Sequence, residues 1–403
     1  MFEYNVNNVR KDFPILQKKV IYFDNACMSL KPIQVINKMN EYYFDYTACV
    51  ARSLHKFAVK TTEEMDNARH ELAKFVNAKS DSEIIITRNT TEGINLVANC
   101  LDLKKGDEVI ISDKEHNSNL IPWLKLKKEK GIKLVISKTN KDGTFNLENF
   151  EDCFSKNTKL VSVVMTSNID GVTNPVKEIS EITHEHDALL MIDGAQGIPR
   201  IEIDVRKLNI DFLAFSGHKM IGPSGTGILY GKKELLENMP QFMVGGETVL
   251  DSTYDSYKPE HLPHKFEAGL QNYAGMIGLA EAARYLKKVG LKDIEKREIM
   301  LNKMVSDELA DKKEIQLLGP REAELRGGIF SFNIKGMDPH HISRILDSSK
   351  NIAIRSGNHC VHSWFNAHKI NGSARASFYL YNTEEEAQVF IDEMKKIIKL
   401  HAH

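Results

Sequence analysis

The feature that most restricts the fold of this chain is a series of short, uninterrupted apolar runs between residues 81 and 231. They alternate with segments of helical character, and they read EIIIT, DEVIIS, KLVIS, KLVSVVM, ALLMID, FLAFS and GTGILYG. Strands that are covered by helices on both faces show continuous Val, Ile and Leu instead of an apolar–polar alternation. The pattern therefore predicts an α/β fold with a large, doubly wound, mostly parallel sheet.

The length of 403 residues predicts more than one hydrophobic core. In the C-terminal third, GGIFSFNI and NIAIRSG predict two strands with a helix between them, which is typical of a smaller α+β domain. Apolar spacing predicts one helix over residues 62–78 and another after Thr383, where Glu386 completes a capping box. We expect a large domain over residues 20–285 and a small domain that combines residues 1–19 with 286–403.

Composition excludes several classes of protein. The 54 Lys and Arg residues are balanced by 55 Asp and Glu residues, so no strong field attracts nucleic acid or an anionic membrane. The chain lacks a run of about 18 apolar residues, and its first residues are charged where a signal peptide is apolar. Its five cysteines have no CxxC spacing, which favours free thiols over disulfides or a zinc ribbon. We expect a cytoplasmic protein that binds no nucleic acid, membrane or metal ion.

The glycine-rich segment GPSGTGILYGKK does not match a nucleotide-binding motif. Its spacing fits neither GxGxxG nor GxxxxGK[ST], and it precedes an apolar strand instead of joining a strand to a helix. Ser224 does not occupy a GxSxG elbow, because the fifth position is Thr226. Dinucleotide binding, ATP binding and serine hydrolase chemistry are therefore disfavoured.

A lysine and an aspartate each follow one of the predicted strands. Asp193 ends the run ALLMID, and Lys219 follows FLAFS after Ser216 and His218. Ligands of open α/β sheets bind at the carboxyl ends of the strands. Pyridoxal 5'-phosphate (PLP) needs a lysine for its Schiff base and an aspartate for its pyridine nitrogen, so the pair is compatible with this cofactor. A structural Asp–Lys salt bridge is the alternative.

A phosphate site is predicted where a helix begins. In IIITRNTTEGINLVANCL, a strand leads through a short turn into a helix that starts near Thr90. The unpaired N–H groups and the positive dipole end of such a helix favour phosphate binding. Ordinary N-capping by Thr90 and Thr91 is the alternative. Together with Lys219 and Asp193, this segment favours PLP.

Cys360 lies between two histidines, His359 and His362, in the segment SGNHCVHSWFN. A metal cluster is disfavoured, because adjacent residues rarely point the same way and no fourth ligand is apparent. A lone thiol is usually an inert packing residue. The preceding motifs for PLP are what favour a nucleophile at this position.

Nine segments in one order give the chain a resemblance to a known family. They are YFDNACMSLKP, TRNTTEGINLVA, EHNSNLIPW, TSNIDGVTNP, DGAQG, FSGHKMIGPSGTGILYG, FEAGLQN, RSGNHC and RASFYLYNT. In this order they resemble the fold-type I, class V aminotransferase-like PLP enzymes and, among these, the SUF-type (group II) cysteine desulfurases and the selenocysteine lyases. The resemblance spans residues 22–383 and implies a fold-type I architecture, bound PLP and a homodimer.

The resemblance assigns several residues to the cofactor. These residues are Thr91, His116, Asp193, Gln196, Ser216, His218 and Lys219, and the predicted helix start adds Thr90. Lys219 is similar to the Schiff-base lysine, Asp193 to the partner of the pyridinium nitrogen, and Gln196 to a donor to the phenolic oxygen. His116 resembles the histidine that stacks on the pyridine ring of the cofactor. Thr91, Ser216 and His218 resemble the residues that contact its phosphate.

A second group of matching residues would surround the substrate. Asn168 and Arg375 resemble the groups that hold the substrate carboxylate, and Arg355 and His359 would flank the substrate. Cys360 resembles the catalytic nucleophile. The implied reaction converts L-cysteine to L-alanine, with Lys219 as proton shuttle and a persulfide on Cys360.

The resemblance also implies partners and leaves alternatives. The sulfur would pass to a SUF-type acceptor or scaffold protein, for iron–sulfur cluster assembly or tRNA thiolation. A selenocysteine lyase, a class V aminotransferase and a kynureninase-like lyase are the alternative enzymes. A sulfur carrier with little turnover is an alternative outside catalysis.

Three positions depart from the family pattern. Leu270 stands where a threonine usually reaches the phosphate in the neighbouring subunit, and Asn358 replaces a common histidine. Cys27 replaces a small residue on the substrate side of the cofactor. We expect that Cys27 lines the active site and tunes or intercepts sulfur, with a simple packing role as the alternative.

Overall fold

The structure is a computed structural model that describes residues 4–401. Its α-helices are α1 (Val6–Lys11), α2 (Ile33–Asp45), α3 (Lys56–Val76), α4 (Thr90–Cys100), α5 (Asn117–Lys130), α6 (Leu147–Glu151), α7 (Val176–Glu185), α8 (Lys233–Asn238), α9 (Tyr273–Val289), α10 (Leu291–Leu309), α11 (Pro339–Lys350), α12 (His362–His368) and α13 (Glu384–His401). Its strands are β1 (Ile21–Tyr22), β2 (Ile84–Thr87), β3 (Glu108–Ser112), β4 (Lys133–Ser137), β5 (Thr158–Val164), β6 (Leu189–Asp193), β7 (Phe212–Ser216), β8 (Gly227–Gly231), β9 (Val249–Ser252), β10 (Tyr257–Pro259), β11 (Ile315–Leu318), β12 (Ile329–Ile334), β13 (Ile352–Ala353), β14 (Arg355–Gly357) and β15 (Ser373–Ser377).

The seven apolar runs form one sheet, with the strand order β2-β8-β7-β6-β5-β3-β4. All neighbours are parallel except those of β8, which runs antiparallel to β2 and β7. The connection from β7 to β8 contains one 3-10 turn and no crossover helix, so β8 returns in the opposite direction. The predicted α/β class and the mostly parallel sheet are confirmed.

Burial on both faces of the sheet explains why its strands read as continuous apolar runs. In β6, Leu190 and Ile192 lie in one buried cluster together with residues of α3 and α9. Met191 lies in a second buried cluster, with residues of α4 and α5. Alternate side chains therefore enter different helical layers, and neither face accepts a polar residue without cost.

Side-chain caps set the starts of α4 and α13. The carboxamide oxygen of Asn89 accepts a 3.0 Å hydrogen bond from Glu92 N, so Asn89 is the N-cap of α4. Before α13, Thr383 N donates to Glu386 Oε2 and Glu386 N donates to Thr383 Oγ1, both at 3.2 Å. This contact confirms the predicted capping box. None of the helices in residues 4–401 is long and apolar enough to cross a bilayer.

A second sheet lies in the C-terminal third of the chain. It has the order β11-β12-β15-β14 and is antiparallel throughout. Helices α10, α11 and α13 contribute Leu301, Leu346 and Phe390 to its buried cluster. The predicted strand–helix–strand segment is confirmed as β12, α11 and β13.

The N-terminal segment contacts both sheets. Val9, Phe13 and Leu16 belong to a buried cluster of the large sheet. Phe23 belongs to the cluster of the small sheet, and β1 pairs with β13. The division into residues 20–285, and 1–19 with 286–403, stays a prediction.

Candidate active site

One cavity of about 210 Å³ brings together the residues that the sequence analysis selected. All fourteen line it: Cys27, Thr90, Thr91, His116, Asn168, Asp193, Gln196, Ser216, His218, Lys219, Arg355, His359, Cys360 and Arg375. The residues of the large sheet follow the carboxyl ends of its parallel strands, as expected for a ligand site in an α/β fold. The small sheet and its loop supply Arg355, His359, Cys360 and Arg375 from the other side.

Asp193 and Lys219 lie in the same cavity without direct contact. Asp193 is 2% exposed, and its Oδ1 accepts a 2.9 Å hydrogen bond from Ala195 N. Burial raises the pKa of Asp193, and the charge of Lys219 opposes this rise. Among the ion pairs of residues 4–401, none joins the two side chains within 4 Å. The structural salt bridge is therefore not formed.

Lys219 lies just beyond a strand end, in an environment that lowers its pKa. It ends a 3-10 turn, Gly217–Lys219, that directly follows β7. Burial lowers its pKa, and Asp193 partly offsets the effect. A lowered pKa favours the neutral amine, which is the form that acts as nucleophile or base.

The N-terminus of α4 opens toward the cavity beside a cluster of hydroxyl groups. Ser216 Oγ accepts a 2.8 Å hydrogen bond from Thr90 N and lies 2.6 Å from Thr90 Oγ1. Thr91 Oγ1 lies 2.7 Å from Ser118 Oγ. Because Asn89 is the cap, the hydroxyl groups of Thr90 and Thr91 do not serve this role. The positive end of the helix dipole and these hydroxyls suit a phosphate group.

His116 is the N-cap residue of α5 and stays neutral. Its Nδ1 accepts a 3.1 Å hydrogen bond from Ser118 N. Burial and the nearby charge of Lys219 lower the pKa of His116 to about 3. A neutral imidazole that is fixed at one edge suits stacking against an aromatic ring. His218 is similar, since burial and Lys219 lower its pKa to about 4.

Arg375 and Asn168 form a polar pair on the opposite side of the cavity. Arg375 is 1% exposed, and its Nη1 donates a 2.8 Å hydrogen bond to the carbonyl oxygen of Asn168. Arg375 Nη2 lies 3.4 Å from Asp24 Oδ1. Asn168 Oδ1 and Arg375 Nε are buried and accept or donate no hydrogen bond within residues 4–401. Such unpaired groups are costly unless a ligand pairs with them.

The loop that carries Cys360 has an unusual backbone. His359 has φ 47° and Cys360 has φ 61°, two consecutive left-handed conformations in residues other than glycine. Hydrogen bonds hold the loop: Asn168 Nδ2 donates to His359 O at 2.7 Å, and Asn117 N donates to Cys360 O at 2.8 Å. The side chain of His359 is buried against Ser373 Oγ, at 2.9 Å from Nε2. The backbone therefore fixes Cys360 at the cavity.

Arg355 lies between two thiols. Its Nη1 lies 2.5 Å from Cys27 Sγ, and its Nη2 lies 3.8 Å from Cys360 Sγ. Arg355 therefore places one positive charge beside both sulfur atoms. Both cysteines are partly exposed, and neither forms a disulfide.

Two residues of the site were not selected from the sequence. Ser118 contacts both His116 and Thr91, and Asp24 pairs with Arg375. The spacing His-x-Ser before a helix was a detectable signal for Ser118, because an N-cap side chain contacts the first turn. Asp24 had no comparable signal, since its partner is far along the chain.

Leu270 projects from the chain, with 66% of its surface exposed. The neighbouring side-chain amides form hydrogen bonds within this chain: Gln271 Nε2 donates to Ala268 O, and Asn272 caps α9. Within residues 4–401, no group of three or more His, Cys, Asp or Glu side chains is arranged to hold a metal ion.

The geometry fits PLP. Lys219 and Asp193 line one cavity without an ion pair between them, Thr90 and Thr91 at the start of α4 line it too, and the buried Asn168 Oδ1 and Arg375 Nε have no partner within residues 4–401. Residues 21–390 match the aminotransferase class-V family, and the chain belongs to this family. Its members are PLP-dependent enzymes, so PLP is the cofactor of this site.

Several relatives of the chain have the same activity in their names. A probable cysteine desulfurase from Halalkalibacterium halodurans is 41% identical over 99% of both chains. A probable cysteine desulfurase from Pyrococcus abyssi is 42% identical over 97% of both chains. The apo structure of a cysteine desulfurase from Thermococcus onnurineus NA1 superposes with a TM-score of 0.95, at 38% identity, over 99% of this chain and 100% of that one.

Proposed function

We propose that this chain is a PLP-dependent cysteine desulfurase, which converts L-cysteine to L-alanine and holds the removed sulfur as a persulfide on Cys360. The observation that carries the proposal is that Cys360 and Lys219, from different sheets, line one cavity. A class V aminotransferase or a kynureninase-like lyase needs no thiol at this position. The names of the full-length relatives support the same activity.

Separate residues of the chain bind the substrate, transfer its proton and attack its sulfur. Arg375 remains a cation at neutral pH, although burial lowers its pKa to about 10, and it binds the substrate carboxylate together with Asn168. Bound PLP supplies an electron sink for the substrate carbon. Lys219 removes the proton from the substrate Cα and returns one to the product. The thiolate of Cys360, beside Arg355, attacks the substrate sulfur.

The test measures alanine and sulfide release by the PLP-loaded protein with L-cysteine and a reductant. We expect both products from the wild type and from Cys153→Ala, whose thiol lies outside the cavity. Cys360→Ala should keep the absorbance of bound PLP and lose alanine release. Alanine release at the wild-type rate from Cys360→Ala would contradict the proposed nucleophile. Equal or faster turnover of L-selenocysteine by Cys360→Ala would favour a selenocysteine lyase.

We further propose that the physiological acceptor is a SUF-type protein, that the sulfur serves iron–sulfur cluster assembly or tRNA thiolation, and that the enzyme is cytoplasmic. The partial exposure of Cys360 supports transfer to another protein. The five free cysteines are compatible with a reducing compartment.

A homodimer completes the proposal. Two segments, 43–59 and 243–270, expose large apolar side chains and are joined by the Arg52–Glu247 ion pair. We call them the apolar face; its exposed members are Tyr43, Phe44, Leu54, Phe57, Val59, Met243, Val244, Leu250, Tyr254, Tyr257 and Leu270. An exposed apolar surface of this extent is typical of an interface between protein chains. We propose that a second copy of the chain covers it.

A further inference from the structure

We propose that Cys27 is a second sulfur-carrying residue of the same cavity, which receives the outer sulfur of the Cys360 persulfide. This inference rests on the proposed function and extends it from one sulfur position to two. It starts from the placement of Cys27, which the resemblance to the family does not explain.

The first observation is the shared guanidinium group. Arg355 contacts Cys27 Sγ through Nη1 and Cys360 Sγ through Nη2. The two nitrogens belong to one planar group, so the thiols are neighbours across its width. One planar cation is therefore placed between the attacking sulfur and the leaving sulfur of a transfer step.

The second observation is that Cys27 belongs to a built binding site. It lines the cavity with Lys219 and Arg375, and it is close enough to influence the pKa of both. Asn168 and Arg375, which line the same cavity, are more than nine-tenths buried and hold polar atoms that have no partner in residues 4–401. A packing residue would be shielded from the ligand volume, whereas Cys27 borders it.

The third observation concerns the main chain beside Cys27. Cys27 N donates a 3.1 Å hydrogen bond to Asp24 O, and Gln196 Nε2 donates a 2.6 Å bond to Ala26 O. The turn is therefore tied to the loop after β6, and the thiol has a defined position at the cavity wall. A fixed position lowers the entropic cost of bringing the two reacting sulfur atoms together.

The transfer is a displacement at sulfur. The thiolate of Cys27 attacks the outer sulfur of the Cys360 persulfide; a new S–S bond forms on Cys27 while the S–S bond on Cys360 breaks. The electron pair of the broken bond stays on Cys360, which leaves as a thiolate and takes up the proton that Cys27 released. One S–S bond forms as one breaks, and the overall oxidation level of the sulfur atoms is unchanged, so no oxidant or reductant is needed. Cys360 is then free for a second turnover before an acceptor arrives.

The experiment uses the PLP-loaded full chain with a few equivalents of L-cysteine and no other thiol, and stops the reaction with an alkylating agent. We expect a burst of about two alanine molecules per chain from the wild type, about one from Cys27→Ala and Cys27→Ser, and none from Cys360→Ala. Cys153→Ala is the matched control and should keep the wild-type burst.

Mass spectrometry locates the sulfur. Trypsin separates the two thiols into the peptides 20–38 and 356–369. The added sulfur should occur on both peptides in the wild type and only on 356–369 in Cys27→Ala. Sulfur on 356–369 alone in the wild type, including two sulfurs there, overturns the transfer to Cys27 and leaves the desulfurase intact.

Two further outcomes are informative. Sulfur on 20–38 in Cys360→Ala overturns the proposed order, because Cys27 would then react with the substrate directly. Absence of alanine from the wild type overturns the proposed function itself. Failure of the transfer and failure of the desulfurase are therefore distinguishable in one experiment.

Discussion

The guanidinium Nη1 of Arg375 donates a 2.8 Å hydrogen bond to the main-chain oxygen of Asn168. Arg375 lies on β15 of the small sheet, and Asn168 follows β5 of the large sheet. The contact therefore joins the two sheets at the cavity, where a substrate carboxylate would pair with the same arginine. Together with the contact to Asp24, it pairs part of the buried guanidinium group of Arg375.

Arg375→Lys should weaken substrate binding more than turnover. A lysine cannot reproduce a two-pronged contact with a carboxylate and with Asn168 O. Loss of charge-assisted hydrogen bonds costs about 1.5–3 kcal/mol, so KM for L-cysteine should rise roughly ten- to hundredfold with a smaller change in kcat. Steady-state kinetics measure both constants. Arg321→Lys, at an exposed ion pair, is the control, and an unchanged KM in Arg375→Lys contradicts this role.

Lys219→Ala should abolish proton transfer at the substrate carbon. We expect alanine formation to fall by about 10³-fold or more, since a positioned general base contributes 10²–10⁴-fold and the lysine also binds the cofactor. Rapid-quench alanine assays measure the rate, and absorbance reports bound PLP. A small primary amine in the buffer should restore part of the rate. Lys125→Ala, an exposed lysine of α5, is the control.

Gly171→Ala should destabilise the protein strongly. Gly171 has φ 80°, and an added Cβ would lie 1.9 Å from the carbonyl oxygen of Arg326. Gly225 also has a positive φ, 70°, but an added Cβ there meets nothing within 4 Å. Gly225→Ala should therefore cost about 1 kcal/mol from backbone conformation alone, and Gly171→Ala at least about 3 kcal/mol. Denaturant unfolding measures the difference; equal costs would show that the contact with Arg326 relaxes freely.

The buried His359 makes stability depend on pH. Burial and the nearby charge of Arg375 lower its pKa well below the ordinary 6.5. The unfolded chain therefore binds more protons than the folded chain below pH 6.5, so the stabilisation from neutral His359 is present above that pH and lost as the pH falls. As the pH falls from 7 to 5, this group should therefore lower the free energy of unfolding.

His359→Asn tests this assignment in the cofactor-free protein. The free energy of unfolding should fall less between pH 7 and 5 in the variant than in the wild type, whatever the difference at pH 7. Urea titrations at several pH values supply the slopes. Parallel slopes would place the pH dependence on His116, His218 or other groups.

Charges on the apolar face should separate the proposed dimer. Phe44 and Leu54 are 82% and 98% exposed in the single chain. Burying an aspartate in an interface without a partner is costly, so Phe44→Asp with Leu54→Asp should shift the sedimenting species toward one chain. Sedimentation velocity measures the mass. Lys125→Ala is the control and should keep the sedimenting mass of the wild type. A wild type that sediments as a single chain would contradict the proposed homodimer.

The amino-acid sequence by itself determined the sheet and the main reactive groups. Uninterrupted runs such as ALLMID predicted buried strands, because a residue that packs on either face must be apolar whatever its tertiary partner. The same local logic placed Asp193 and Lys219 at strand ends, a helix start near Thr90, and the capping box of Thr383 and Glu386. In each case the feature depends on residues that lie close to one another along the sequence.

Only the tertiary structure decided which side chains meet. It reversed β8, paired Asp24 with Arg375, and set Arg355 between Cys27 and Cys360. Arg355 and Cys27 are 328 residues apart in the chain. Such contacts follow from how the two sheets and the N-terminal segment pack together, and no local pattern of apolar and polar residues contains that information.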